Sequence, residues 1–126
     1  MLNMKKYYQT LLSSSTELAT ALGQGGEILS AYPDEVTKFP VIIYEDNNQR
    51  DVAFSDNLPQ GTAASVRIHV FTKAVSGYAT TTTLGKIVHD IFRTDYWSCT
   101  ANTEISEDDN VKHRIMDFTR EFYDFR

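Results

Sequence analysis

The sequence predicts an α+β fold in which two to three helices pack on a mostly antiparallel sheet of about four to five strands. Three observations support this prediction. Apolar residues recur every three or four positions in two parts of the chain, which is typical of helices with one buried face. Elsewhere, residues alternate between apolar and polar or form short apolar runs, both of which are typical of strands. The predicted order of elements is α-α-β-β-α-β-β.

The composition is that of one folded domain, predicted to span residues 1–126. Hydrophobic side chains make up 41% of the chain, which supplies one core at this length but not two. Seven Tyr, seven Phe and one Trp exclude a disordered chain. The net charge of -5 argues against a dedicated duplex-DNA binder, because that affinity comes mostly from cations that neutralise phosphates. No apolar run reaches the roughly 18 residues that a membrane-spanning helix needs.

The first 22 residues predict two short helices. Apolar residues in 4–22 follow the helical spacing, but a polar run at 13–16 interrupts it. Ser14 and Glu17 have the spacing of a capping box, so we expect the second helix to begin there. Gly23 and the two glycines that follow it are expected to end that helix.

Two strands and a long loop are predicted next. Residues 27–32 predict a short edge strand, and the continuous apolar run at 41–44 predicts a strand covered on both faces. Residues 46–63 are crowded with Asn, Asp, Gln, Gly and Pro, and they predict a long loop with room for a short strand at 51–55.

The predicted loop has little apolar area to hold it in place. Fixing each residue costs about 1–2 kcal/mol, so we expect the loop to be mobile in a free subunit and to order on assembly. Phe54 and Leu58 are the exceptions within this polar stretch. We expect them to insert into a groove of a neighbouring molecule.

A strand and an amphipathic helix follow the loop. Residues 65–73 alternate and place Ile68 and Val70 on one face. An apolar stripe with helical spacing then predicts a helix that packs on the sheet. We expect Ile87 and Ile91 of this helix to be buried against the strand of Ile68 and Val70.

A helix cap and two further strands complete the predicted order. Ser76 is expected to cap the helix, because serine favours that position. Residues 96–105 and 111–125 predict the last two strands, joined by an acidic turn at 106–110. The last strand carries apolar residues on both faces, which indicates either a bulge or cover on its second face.

The sequence predicts no catalytic, cofactor or metal site. It lacks the glycine-rich phosphate loops and the G-x-S-x-G nucleophile motif. Cys99, the only cysteine, is interpreted as a packed, unreactive thiol. His69, His89 and His113 lack metal-ligand spacing, although His69 and His113 lie on predicted strands that can be neighbours. A small hydrolase that uses Cys99 or a carboxylate pair is the least favoured alternative.

Two predicted strands, at 41–44 and at 111–125, carry apolar residues on both faces. One sheet with about three helices covers only one of its faces well. A second subunit supplies that cover at least cost, so the pattern favours an oligomeric structural protein over a monomeric enzyme. The candidate interface residues lie in the predicted loop and in the acidic turn, and they are Arg50, Phe54, Leu58, Glu107, Asp108 and Asp109.

Taken in order, the segments resemble the tail-completion, or head-to-tail joining, proteins of long-tailed bacteriophages and related prophages. The resemblance rests on the opening helix, on FPVIIYE at 39–45, SVRIHVFTK at 65–73, GYATTTTLGKIVHDIF at 77–92 and KHRIMDFTREF at 112–122. Together these segments span nearly the whole chain. The chain departs from the family pattern at 80–83, where a threonine run replaces an alanine-rich helix start.

The resemblance implies a non-enzymatic virion protein, similar in fold to tail-terminator proteins, that closes the tail tube and joins tail to head. It implies a hexameric ring with two partners, a tail tube protein and a head connector or stopper protein. It also implies that DNA passes through without specific binding, and that neither a cofactor nor a membrane is involved. Such a protein is made in the cytoplasm of the bacterial host and resides in the virion tail. The alternative function is a small α+β binding module for a peptide or a small ligand.

Overall fold

Three helices pack on one face of a five-stranded mixed sheet, most of which is antiparallel. The computed structural model describes residues 4–55, 58–107 and 110–123, and the side chains in these ranges except at 53–60. The elements are α1 (Met4–Ser13), α2 (Thr16–Leu22), β1 (Glu27–Leu29), β2 (Val41–Ser55), β3 (Leu58–Lys73), α3 (Thr81–Thr94), β4 (Ser98–Ser106) and β5 (Val111–Tyr123). The strand order is β1-β2-β3-β5-β4, with only β1 and β2 parallel. The predicted α+β class and the approximate order of elements are confirmed.

Two helices begin at residues other than those predicted. α2 is capped by Ser15 and not by Ser14, since Ser15 Oγ accepts a hydrogen bond from the backbone N–H of Leu18 at 3.1 Å. α3 is capped by Thr80 and not by Ser76, since Thr80 Oγ1 accepts from the N–H three residues later. Each capping residue is extended and directly precedes its helix, as this hydrogen bond requires. Several neighbouring hydroxyls suit the role, so the sequence alone does not select among them.

The main core lies between the helices and one face of the sheet. The α3 residues buried in it are Leu84, Ile87, Val88 and Phe92. The ring of Phe92 stacks on that of Phe118 from β5, with 4.5 Å between centroids. Ile91, which we expected to be buried, is only half-buried and packs at the margin of this core.

The outer face, which is the sheet face away from the helices, is covered over part of its area by residues 30–40. A second buried cluster lies there, formed by Val41, Ile43 and Phe71. Val36 and Phe39 pack against this cluster from residues 30–40. The apolar run of β2 is therefore covered on both faces, as expected. The cover comes from the same chain, so the expectation that a second subunit must supply it is wrong for this strand.

A long β-hairpin occupies the region predicted to be a loop. β2 and β3 pair from Val41 opposite Phe71 to Ser55 opposite Leu58, with one irregularity between Asp46 and Asn48. The loop prediction for 46–63 is therefore wrong. That prediction considered only the apolar area of the side chains. The hairpin is held by backbone hydrogen bonds, which polar residues form as well as apolar ones.

The far part of this hairpin, residues 52–61, is called the hairpin arm below. Its register pairs Val52 with Gly61 and Phe54 with Pro59. Among the described residues, β5 reaches the arm only at its base, where Tyr123 lies opposite Gly61. The arm is thus the part of the sheet with the fewest neighbouring strands in the described chain.

β5 contacts both layers of the structure. It keeps one continuous register with β3, whereas the bulge lies in β4 between Cys99 and Ala101. Met116 and Phe118 belong to the core on the helix side, while His113 is buried on the outer face. The two-faced pattern of β5 therefore reflects cover on both faces and not a shift of its register.

Candidate functional site

The predicted interface residues fall into two groups at opposite ends of the sheet. Arg50 is exposed on β2, next to the hairpin arm that contains Phe54 and Leu58. The side chains of Phe54 and Leu58 lie outside the described residues. At the other end, Glu107 is exposed directly after β4, while Asp108 and Asp109 lie outside the described residues.

The two groups do not form one site. The arm is at the start of β3, and the acidic turn leads into β5 opposite the end of β3. β3 has 16 residues, so at about 3.3 Å per residue Leu58 is roughly 50 Å from the acidic end of the sheet. Arg50 lies opposite Ala63 and is roughly 33 Å from that end. Separate ends of this kind suit contacts with two different molecules.

A row of four hydrogen-bonded polar side chains, of which the two histidines are buried, crosses the outer face of the sheet. His69 Nδ1 of β3 lies 2.9 Å from His113 Nε2 of β5. His69 Nε2–H donates to the carboxylate of Glu45, and His113 Nδ1–H donates to Glu107 at 3.1 Å. Both imidazoles are only 5–6% exposed, and the ring of Phe71 stacks on His113 at 3.9 Å. We call Glu45, His69, His113 and Glu107 the histidine row.

The sequence indicates only part of this arrangement. Alternation along the two strands indicated that His69 and His113 were possible neighbours. The roles of Glu45 and Glu107 depend on the register of three strands and on where the β4–β5 turn folds back, which no local motif encodes. The only local signal was that Glu45 lies an even number of residues from Val41 and Ile43, which places it on the same face of the strand as these two residues.

His113 links the other histidine of the row to Glu107. Burial lowers the pKa of His113 below its ordinary value near 6.5, although the hydrogen bond to Glu107 opposes this effect and the neighbouring His69 adds to it. A neutral His113 has one N–H, which it gives to Glu107, so its Nε2 carries no hydrogen.

A lowered pKa at His113 makes the stability of the protein depend on pH. The unfolded chain binds a proton at His113 more readily than the folded chain does, so this contribution to stability is complete above pH 6.5. It is lost as the pH falls through the lowered pKa, because protonation places a charge on a buried ring beside His69.

The measurement is the free energy of unfolding in urea between pH 7.5 and pH 5. We expect the wild type to lose stability more steeply than His113→Asn over this range. Carboxylates that do not contact His113 have the same surroundings in both proteins, so their effect on stability cancels in the comparison. Parallel pH profiles for the two proteins would contradict the assigned hydrogen bonds.

Cys99 lacks the surroundings of a nucleophile. It is half-buried in β4, and its thiol donates to the backbone carbonyl of Ala101 at 3.3 Å. Burial raises the pKa of Cys99, with a smaller contribution from Asp117, so little thiolate forms at neutral pH. Within the ranges 4–55, 58–107 and 110–123, no group of three or more His, Cys, Asp or Glu side chains could hold a metal ion.

The head-to-tail joining that the family resemblance implies is expected to survive single substitutions of Cys99, His69 and His113. Cys99→Ala, His69→Ala and His113→Ala change side chains that only pack or hydrogen-bond inside the fold, so their effect is on stability alone. The check is joining of purified heads and tails, together with the unfolding midpoint of each variant. A variant that is as stable as the wild type yet fails to join would show a direct role.

An open groove of about 460 Å³ lies beside α1. Its carboxylate, Asp95, is already occupied by three donors of the same chain. These are the hydroxyl of Tyr7, the indole N–H of Trp97 at 3.0 Å and the guanidinium of Arg120 at 3.1 Å. This arrangement holds α1 against the sheet and leaves Asp95 poorly placed to select a ligand. In the described chain, no helix is long and apolar enough to cross a membrane.

Comparison with known proteins places the fold beside that of a virion protein. A solved chain from the "Virion of native gene transfer agent (GTA) particle" superposes with a TM-score of 0.59 at 14% sequence identity. The match covers 92% of this chain and 90% of that chain. No family model matches the sequence, and no curated protein matches it. At this level of identity, the likeness shows that the two chains share a fold.

Proposed function

We propose that this protein is a non-enzymatic structural component of a phage-like virion that closes the top of the tail tube and joins tail to head. The observation that carries the proposal is the fold shared with a chain of a gene transfer agent virion over 92% of this protein. Folds host many functions, so the proposal also needs support from the surfaces of this chain.

The two separated ends of the sheet support a protein that lies between two partners. We assign the hairpin arm, with Phe54 and Leu58, and the neighbouring Arg50 to contacts within a ring of six copies or with the head connector or stopper protein. The acidic turn with Glu107, Asp108 and Asp109 is at the opposite end and is assigned to the second partner, the tail tube protein. We also propose that the protein is made in the cytoplasm of the bacterial host and resides at the head–tail interface of the virion.

The charge of the chain suits a ring around the DNA path. The 17 acidic residues exceed the 12 basic residues by five. Subunits with a net negative charge repel phosphate, which suits a ring through which DNA slides without specific binding.

The experiment combines native mass with binding to purified tail tubes. We expect the protein to form a ring, in solution or on tube ends, and to bind tubes at their ends rather than along their length. A monomer that ignores tubes but binds a peptide or small molecule would instead support the alternative, a small α+β binding module.

A further inference from the structure

The sheet is open at both of its edges in the described chain. On one side, β4 pairs only with β5. On the other side, β1 pairs with β2 only at 41–43, so residues 44–55 of β2 have no strand beyond them. Open edges present unpaired N–H and C=O groups, and these groups are a template for pairing with another chain.

The hydrogen bond that closes the β4–β5 turn shows which groups of β4 point outward. The N–H of Glu107 donates to the carbonyl of Val111 at 2.9 Å, so it points toward β5. Backbone groups alternate in direction along an antiparallel strand. Asn102, Glu104 and Ser106 therefore direct their N–H and C=O groups to the open edge.

The same reasoning applies to β2. The carbonyl of Pro40 accepts from the N–H of Glu27, so it points toward β1 and the open side. The irregularity between Asp46 and Asn48 inserts one residue and shifts the alternation by one position. Beyond it, Asp51 directs its N–H to the open edge.

The two edges run in opposite directions. β2 is antiparallel to β3, β3 to β5, and β5 to β4, so β4 is antiparallel to β2. A second copy placed beside the first in the same orientation thus brings its β2 against β4 with antiparallel polarity. Antiparallel strands form the more stable ladder per residue.

Both edges lack lysines and prolines, which are two of the features that usually prevent such pairing, although both carry acidic residues. β4 contains no Lys, Arg or Pro, and residues 44–55 contain no Lys or Pro and one Arg, Arg50. Each edge has one bulge, but 101–106 of β4 and 48–55 of β2 are regular. Natural edges are commonly protected by lysines, prolines or bulges along their length.

We propose that β4 of one copy pairs in antiparallel fashion with the open part of β2 of the next copy, so that the sheet continues from subunit to subunit. The contact is head-to-tail, which closes into a ring when the rotation between copies allows it. Within one copy, β4 lies level with the base of the hairpin, whereas the open part of β2 extends toward the hairpin arm. Pairing of these two segments therefore shifts each copy along the strand direction relative to the next copy. A stagger of this kind tilts the strands of a closed barrel. This inference rests on the proposed ring.

Proline substitution at an outward N–H tests each edge separately. Asp51→Pro and Asn102→Pro each remove one outward donor without removing a hydrogen bond within the subunit. Asp51→Ala and Asn102→Ala are the matched controls, and the second also accounts for the lost contact of Asn102 Oδ1 with Arg114. We expect each proline variant to weaken assembly by about tenfold or more relative to its alanine control.

Mixing the two proline variants tests which edges meet. Each variant keeps one intact edge, so an equimolar mixture is expected to form 1:1 dimers that do not grow into rings, measured by native mass. Rings formed by both proline variants as readily as by their controls would overturn the inference while leaving the proposed ring intact. Dimers formed by Asp51→Pro alone would also overturn it, since they would show β4 pairing with β4. Failure of the wild type to assemble in solution or on tube ends would overturn the proposed function itself.

Discussion

Replacing Phe92 by alanine is expected to lower the free energy of unfolding by about 3–5 kcal/mol, the largest stability loss of any single substitution considered. The ring is fully buried in the layer between α3 and the sheet. It stacks on Phe118 at 4.5 Å and meets the edge of Trp97 at 5.6 Å, so its removal leaves a cavity lined by rigid rings. Because the surrounding rings move little to fill this cavity, the loss in free energy of unfolding stays large.

Urea unfolding measures this loss, and Ile91→Ala is the matched control. Ile91 lies on the same helix one residue earlier but is only half-buried, so its loss should be clearly smaller. Similar losses for the two variants would mean that α3 packs with a different face toward the sheet.

Shortening the hairpin arm is expected to abolish joining of tails to heads. Replacing residues 53–60 by Asn-Gly keeps the pair of Val52 and Gly61 and closes the hairpin with a two-residue turn. The described core residues of β2 and β3 lie outside the deleted segment, so the unfolding midpoint should stay near that of the wild type.

A double variant, Phe54→Ser with Leu58→Ser, tests the two apolar anchors without changing the chain length. Joined particles should be nearly absent for this variant as well, because the arm would have no apolar side chain of that size to insert. Asp51→Ala is the control for a polar change beside the arm. Normal joining by the shortened or the double variant would remove the arm from the interface.

Elements with a strong period could be predicted from the sequence. The stripe of α3 and the alternation of 65–73 follow from burial of one face, and these residues do form a helix and a strand. Each element begins at a different residue from the one predicted. The apolar run at 41–44 also correctly indicates a strand with two covered faces.

The part of the long hairpin that replaces the predicted loop at 46–63 could not be predicted, because its stability comes from the backbone ladder. Polar side chains such as Asn48 and Arg50 carry little apolar signal, yet their backbone groups pair with β3. The sequence also does not predict which residues cover the outer face of the sheet. Residues 30–40 fold back onto their own sheet, and nothing in their local pattern distinguishes this from cover by a second subunit.

The most direct test of the account is electron microscopy of virions produced with and without this protein. With the protein present and carrying a label, we expect the label at the junction of head and tail. Without it, we expect filled heads and tail tubes that remain separate, with the upper tube ends open. Complete, joined particles made in the absence of the protein would contradict the central claim.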